Sequence, residues 1–150
     1  MIGIMFEIPN SITNTLYKIF DNTNTLDYYW YVDSKQTEAY DIQDDVFFSR
    51  EEYNGSAFMT HITQPHKIIF LKIEAYLNSQ KHSFRPIHSF TSYVKSDCMM
   101  IVLVYDCTNV EIFCKDEHLL MTIIENAKNN NYKNLHVIYK KDREIMDVIY

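Results

Sequence analysis

The sequence predicts an α+β fold built on a mostly antiparallel sheet, and three stretches carry that expectation. Ile2, Ile4, Phe6 and Ile8 alternate onto one face of an extended segment that Pro9 closes. Residues 99–104 form an apolar run, 106–109 have turn chemistry, and 110–113 resume a strand pattern. Asp116 then precedes Leu119, Leu120, Ile123, Ile124 and Ala127, which share one side of a capped amphipathic helix.

The remaining elements follow in order. Asn10 or Ser11 can cap a short helix carrying Ile12, Leu16, Ile19 and Phe20 at helical spacing. The turn-rich stretch 21–25 leads to an aromatic strand at 28–33. Residues 34–55 are the hardest to place. Their acidic part, 38–52, reads as a surface segment anchored by Phe47 and Phe48. Two strands are expected at 56–63 and 67–76, separated by Gln64 and Pro65. A polar loop spans 78–85, and Pro86 occupies the first position of a helix with Ile87, Phe90 and Val94 inward. Asn129, Asn130 and Asn131 end the Asp116 helix, because asparagine tolerates a left-handed cap. Strands at 135–139 and 145–150 flank a charged turn at 140–144. The sum is one domain over 1–150, with about six to eight strands and about three helices.

Composition removes several chemistries. The chain has 150 residues and only two glycines, Gly3 and Gly55, so no glycine-rich phosphate loop can be written. Fourteen Lys and Arg against 20 Asp and Glu give a formal net charge of −6, which disfavours nucleic acid and argues mainly for solubility, or for a basic partner. The only short basic cluster, Lys140, Lys141 and Arg143, is interrupted by Asp142 and Glu144. No apolar run reaches the ~20 residues of a membrane span, and the first residues lack a secretory pattern. Three cysteines without a Cys-x-x-Cys pair fit free thiols in the cytoplasm.

Metal and nucleophile patterns are equally sparse. His61 and His66 stand five apart with Pro65 between them, and Cys114 and His118 straddle a strand-to-helix boundary. Asp41, Asp44 and Asp45 lack the alternating oxygen ligands of a calcium loop. No Gly-x-Ser-x-Gly elbow exists. Metal and cofactor are therefore both expected to be absent. Cys98 and Cys114 read as shielded thiols on opposite faces of the hairpin, unable to pair, and Cys107 as the exposed thiol of its turn.

The motif Ser96-Asp97-Cys98 before the apolar strand, and 110–116 after it, resemble an uncharacterised family of small Gram-positive bacterial proteins. The opening 4–10 and the patch Tyr29-Trp30-Tyr31 are similar too. That resemblance implies a single α+β domain and transfers no activity, substrate or cofactor.

Function is not legible here. The reading that survives is a non-enzymatic cytosolic interaction domain, immunity- or inhibitor-like, engaging a protein partner or a second copy. Its contact material would be Tyr28, Tyr29, Trp30 and Tyr31, since Trp and Tyr dominate interface hot spots. The alternative is a ligand-binding protein or enzyme. Its pocket would lie at the end of the 98–114 hairpin, lined by Asp97, Cys98, Lys115 and Asp116.

Overall fold

Alternation of side chains along the strands decides which side of the sheet each helix can cover. The computed structural model describes residues 1–81, 84–143 and 146–150. Along the chain run β1 (Gly3–Glu7), α1 (Thr15–Phe20), β2 (Tyr28–Val32), β3 (Glu38–Tyr40) and β4 (Glu52–Asn54). Then come α2 (Gly55–Ile62), β5 (Lys67–Leu77), α3 (Phe90–Lys95), β6 (Met100–Tyr105) and β7 (Asn109–Cys114). The chain closes with α4 (Glu117–Asn129), β8 (Lys133–Ile138) and α5 (Lys140–Arg143).

Among the described residues the strands form one 8-stranded sheet in the order β4-β2-β5-β6-β7-β1-β8, with β3 also pairing β5. Every pairing is antiparallel, so the expected α+β architecture holds. Trp30, Ile73, Val102, Ile112 and Ile4 point to one face, which α1, α2 and α4 cover. Trp30 stacks on Phe58 of α2 with ring centroids 4.1 Å apart. Burying each such large apolar side chain stabilises the fold by roughly 1.5–3 kcal/mol.

The second face carries Tyr31, Tyr76, Ile101, Leu103 and Phe113, packed against Ile87, α3 and Ile149. Its cover is mostly irregular backbone. The Phe90 N–H donates to the Asp147 carbonyl at 2.7 Å, and the Ile149 N–H to that of His88 at 2.9 Å. The arm 146–150 is thereby tied alongside 88–90.

Several local expectations change. Residues 56–63 are not a strand but most of α2. The Asn54 side chain accepts from the Ala57 N–H at 2.8 Å, and Phe58 and Ile62, four apart, are both buried. The first helix starts at Thr15, later than expected, and Ile12 is exposed. Pro86 does not open α3. Ser89 caps it instead, by accepting from the Ser92 N–H, and Val94 points to solvent. Within 34–55, two short strands, β3 and β4, flank Phe47 and Phe48, which are buried as anchors. The charged turn at 140–143 is a short helix, and 146–150, expected to belong to a last strand, make only an isolated bridge between Val148 and Ser89. Residues 144 and 145 lie outside the described residues. The same holds for 82 and 83 in the polar loop.

The central hairpin forms where expected, though with a different register. Its loop holds three residues, Tyr105 standing opposite Asn109, and Asp106 and Cys107 take left-handed φ of 52° and 69°. Strict alternation from this register would put Cys98 and Cys114 on one face. Cys98 precedes β6, however, and packs with Ile101 and Phe113, whereas Cys114 packs with Met100 on the helical face. The thiols do lie on opposite faces, through that break in the alternation.

Gly55 shows why glycine is needed at the start of α2. An added Cβ would meet the Leu26 Cα at 2.5 Å and the Thr25 carbonyl oxygen at 2.6 Å, both backbone atoms that cannot swing aside. Gly55→Ala is expected to cost about 2 kcal/mol by overpacking, read as a lower urea midpoint at unchanged m-value. An unchanged midpoint would show that the 25–26 turn yields freely.

Candidate functional site

Charged residues inside the central strands mark the second face. Lys72 and Glu74 on β5 and Glu111 on β7 interrupt otherwise apolar alternation, and all three are buried. Their partners come from the segment that covers them. Lys72 Nζ donates to the Ile87 carbonyl and lies 3.4 Å from His88 Nδ1. Glu74 accepts from the Ile87 N–H at 2.9 Å and from the Tyr76 hydroxyl at 2.8 Å. Burial pushes the Lys72 ammonium down from its usual range and the Glu74 carboxyl up, each favouring its neutral form.

Glu111 forms an ion pair with Arg143, which also donates to the Met146 carbonyl at 3.1 Å and stacks 4.6 Å over Phe113. Arg143 thus ties the arm to the sheet. Beside it, at the turn end of the hairpin, lies a cleft of about 480 Å3 floored by Leu103 and Lys72. Its rim carries Phe70, Tyr105, Asp106, Met146 and Tyr150, with Tyr150 78% exposed. Sequence reasoning missed this cleft. The available signal was the parity of Lys72, Glu74 and Glu111, which places three charges on one face of central strands.

The opposite end of the hairpin gathers the residues singled out from sequence. Lys115 Nζ donates to the Ser96 carbonyl at 2.6 Å and sits 4.8 Å over the Tyr93 ring. Asp116 caps α4 by accepting from the Leu119 N–H at 3.1 Å. Asp97 is exposed and Cys98 is fully buried. Tyr28, Trp30 and Tyr31 belong to the interior, and Tyr29 is half-buried. The aromatic run therefore fills the two faces of the sheet rather than a contact surface: Trp30 lies against Phe58 of α2, and Tyr31 packs against Tyr76 and Phe84 on the other face.

All three cysteines are free. Burial pushes the Cys98 and Cys114 thiols up to about 12, while Cys107 is half-exposed at the turn. A thiol reagent should modify Cys107 at least about tenfold faster than the other two, because the thiolate is the reacting form. Peptide mapping by mass spectrometry reads the order, and faster labelling at Cys98 or Cys114 would contradict the packing of both faces. Among the described residues no group of three or more His, Cys, Asp or Glu is placed to hold a metal ion. No described helix is long and apolar enough to cross a membrane.

The arrangement extends across the whole chain, and so does its likeness to other proteins. A family model described as "Protein of unknown function (DUF2691)" matches residues 1–147. The chain belongs to this family. A relative, the uncharacterized protein YncE of Bacillus subtilis (strain 168), is 22% identical over 140 residues, covering 91% of this chain and 90% of that protein. The resemblance to a Gram-positive bacterial family read from 96–116 and 4–10 is therefore correct. No solved structure matches. Family membership assigns no activity, so the DUF2691 site has to be argued from its chemistry.

Proposed function

We propose that the chain is a non-enzymatic binding domain that engages a basic protein partner through the cleft beneath the C-terminal arm. The observation that carries this is how the charges of the cleft are committed. Arg143 is matched by Glu111 and backbone carbonyls, and Lys72 by the Ile87 carbonyl. Asp106 on the rim is exposed, and its carboxylate has no ion pair or side-chain hydrogen bond among the described residues. The uncommitted charge is thus negative. Phe70, Tyr105 and Tyr150 add aromatic faces, which attract a Lys or Arg side chain beyond simple charge pairing. The net charge of −6 steers such a partner toward the chain at low ionic strength.

Affinity capture with the tagged chain in its host tests the reading. A stoichiometric basic protein should be retained at low salt, lost with Asp106→Lys plus Tyr150→Ala, and kept with Asp97→Asn. Loss with Asp97→Asn instead would move the site to the other end of the hairpin, around Cys98, Lys115 and Asp116. Recovery of no stoichiometric partner, a second copy of the chain included, would overturn the proposal.

A further inference from the structure

A second cleft, of about 430 Å3, lies between β4 and α2, away from the arm. Arg50, Tyr53, Ser56, Thr60 and His61 are among the residues that line it. Two of them stand out. Arg50 is exposed and forms no ion pair among the described residues; its guanidinium rests 4.5 Å over the Tyr53 ring. Tyr53 is 3% exposed, and its hydroxyl is a buried side-chain polar atom without a hydrogen-bond partner among the described residues. A buried hydroxyl left unpaired costs free energy, so an orphan of this kind asks for a polar partner from outside the chain.

The neighbouring groups define what that ligand is. Asn54 caps α2 through the Ala57 N–H, and the side chain of Ser56 adds a hydroxyl at the positive end of the helix dipole. His61 makes its ring contact through Nε2 to the Phe47 carbonyl at 2.6 Å, so Nε2 carries the proton and Nδ1 is left as an acceptor. Burial holds His61 below the usual histidine range, which keeps the ring neutral near pH 7. The adjacent acids face elsewhere. Glu51 accepts from the Ser34 hydroxyl, and Glu52 stands opposite Tyr31, on the face of the sheet away from Tyr53.

We propose that this cleft binds a small oxyanion-bearing ligand, a phosphate monoester or a carboxylate, through Arg50, the Tyr53 hydroxyl and the first turn of α2. Arg50 supplies a forked, charge-assisted pair of hydrogen bonds, for which a phosphate or carboxylate is the geometric match. To reach the ligand it turns off the Tyr53 ring, a rotamer change open to an exposed side chain. The hydroxyls of Ser56 and Thr60 and the His61 acceptor then suit a polar body such as a polyol, in preference to an apolar one.

The test is a titration of the 15N-labelled full chain with inorganic phosphate, and separately with acetate, at ionic strength held constant with chloride. Saturating shifts are expected at the amides of Ser56 and Ala57. Saturation by phosphate alone assigns the phosphoryl class, and saturation by acetate assigns the carboxylate class. Arg50→Gln should weaken binding by roughly tenfold, as expected for loss of a charge-assisted pair. Tyr53→Phe should weaken it several-fold while leaving the thermal midpoint of the free protein unchanged or higher, since it removes the orphan hydroxyl. Shifts that fail to saturate with either anion, or that ignore Arg50→Gln, overturn the proposal. A Tyr53→Phe protein with a lowered midpoint would show that the hydroxyl has a structural partner and no ligand role.

Discussion

Glu111→Ala is expected to cost about 3–5 kcal/mol of folding free energy, because it strands the buried Arg143 guanidinium without its carboxylate. Arg143 is 9% exposed and its other bonds go to backbone carbonyls of the arm, while the carboxylate of nearby Asp147 is held by the Thr91 N–H and hydroxyl. The loss should also loosen 146–150, which the same guanidinium ties to the sheet. Urea denaturation reads the first effect, and amide exchange across the arm reads the second. Replacing both partners, Glu111→Leu with Arg143→Met, should cost far less, since no charge is left buried. A single Glu111→Ala loss below about 1 kcal/mol would put the pair in the class of solvent-exposed ion pairs and refute the burial argument.

Acidification should destabilise the chain through His66, with the sign set by its environment. The ring is fully buried, and its Nδ1 contacts the Gln64 carbonyl at 2.8 Å. Nδ1 therefore holds the proton, and bare Nε2 accepts from the Leu16 N–H at 3.3 Å at the start of α1. Burial pushes its pKa from 6.5 down to about 4. The folded protein keeps the ring neutral while the unfolded chain takes up a proton near pH 6.5. The stability His66 contributes is complete above pH 6.5 and declines as pH falls toward about 4, below which both states are protonated. The loss over that window is about 3 kcal/mol. Glu74, whose carboxyl is raised by burial, acts with the opposite sign, being most favourable at low pH. The difference between wild type and His66→Gln isolates the histidine, since the amide can replace both hydrogen bonds without titrating. Chemical denaturation at pH 7 and pH 4.5 should show the wild type losing more stability than the variant. Parallel losses would mean that His66 opens to water in the folded state.

Local sequence was sufficient wherever one element's own residues carry its signal. The alternation of Ile4 and Phe6, the turn at 106–108 and the Asp116 cap of α4 are short-range matters of period, left-handed backbone and a single side-chain acceptor. Competing local signals misled at α2, where Gly55 and Thr60 weakened the helical pattern that Asn54, Phe58 and Ile62 supported. Close packing against the 25–26 turn settled that contest.

The clefts depend on partners far apart in the chain. Glu111 finds Arg143 32 residues away, and Lys72 finds Ile87 15 away. Parity could mark these charges as sharing a face, but which groups answer them depends on how the irregular cover folds back. Tyr28, Trp30 and Tyr31 show the same limit from the other side. Aromatic side chains suit an interface and a core equally well, and only the closing of α2 over one face of β2, and of Tyr76 and Phe84 over the other, put them inside. The sequence by itself determined the opening strand, the central hairpin, the Asp116 cap and the free thiols, because those rest on local backbone and period. The tertiary structure decided which charges are committed and which are free, because burial and pairing are properties of surfaces brought together.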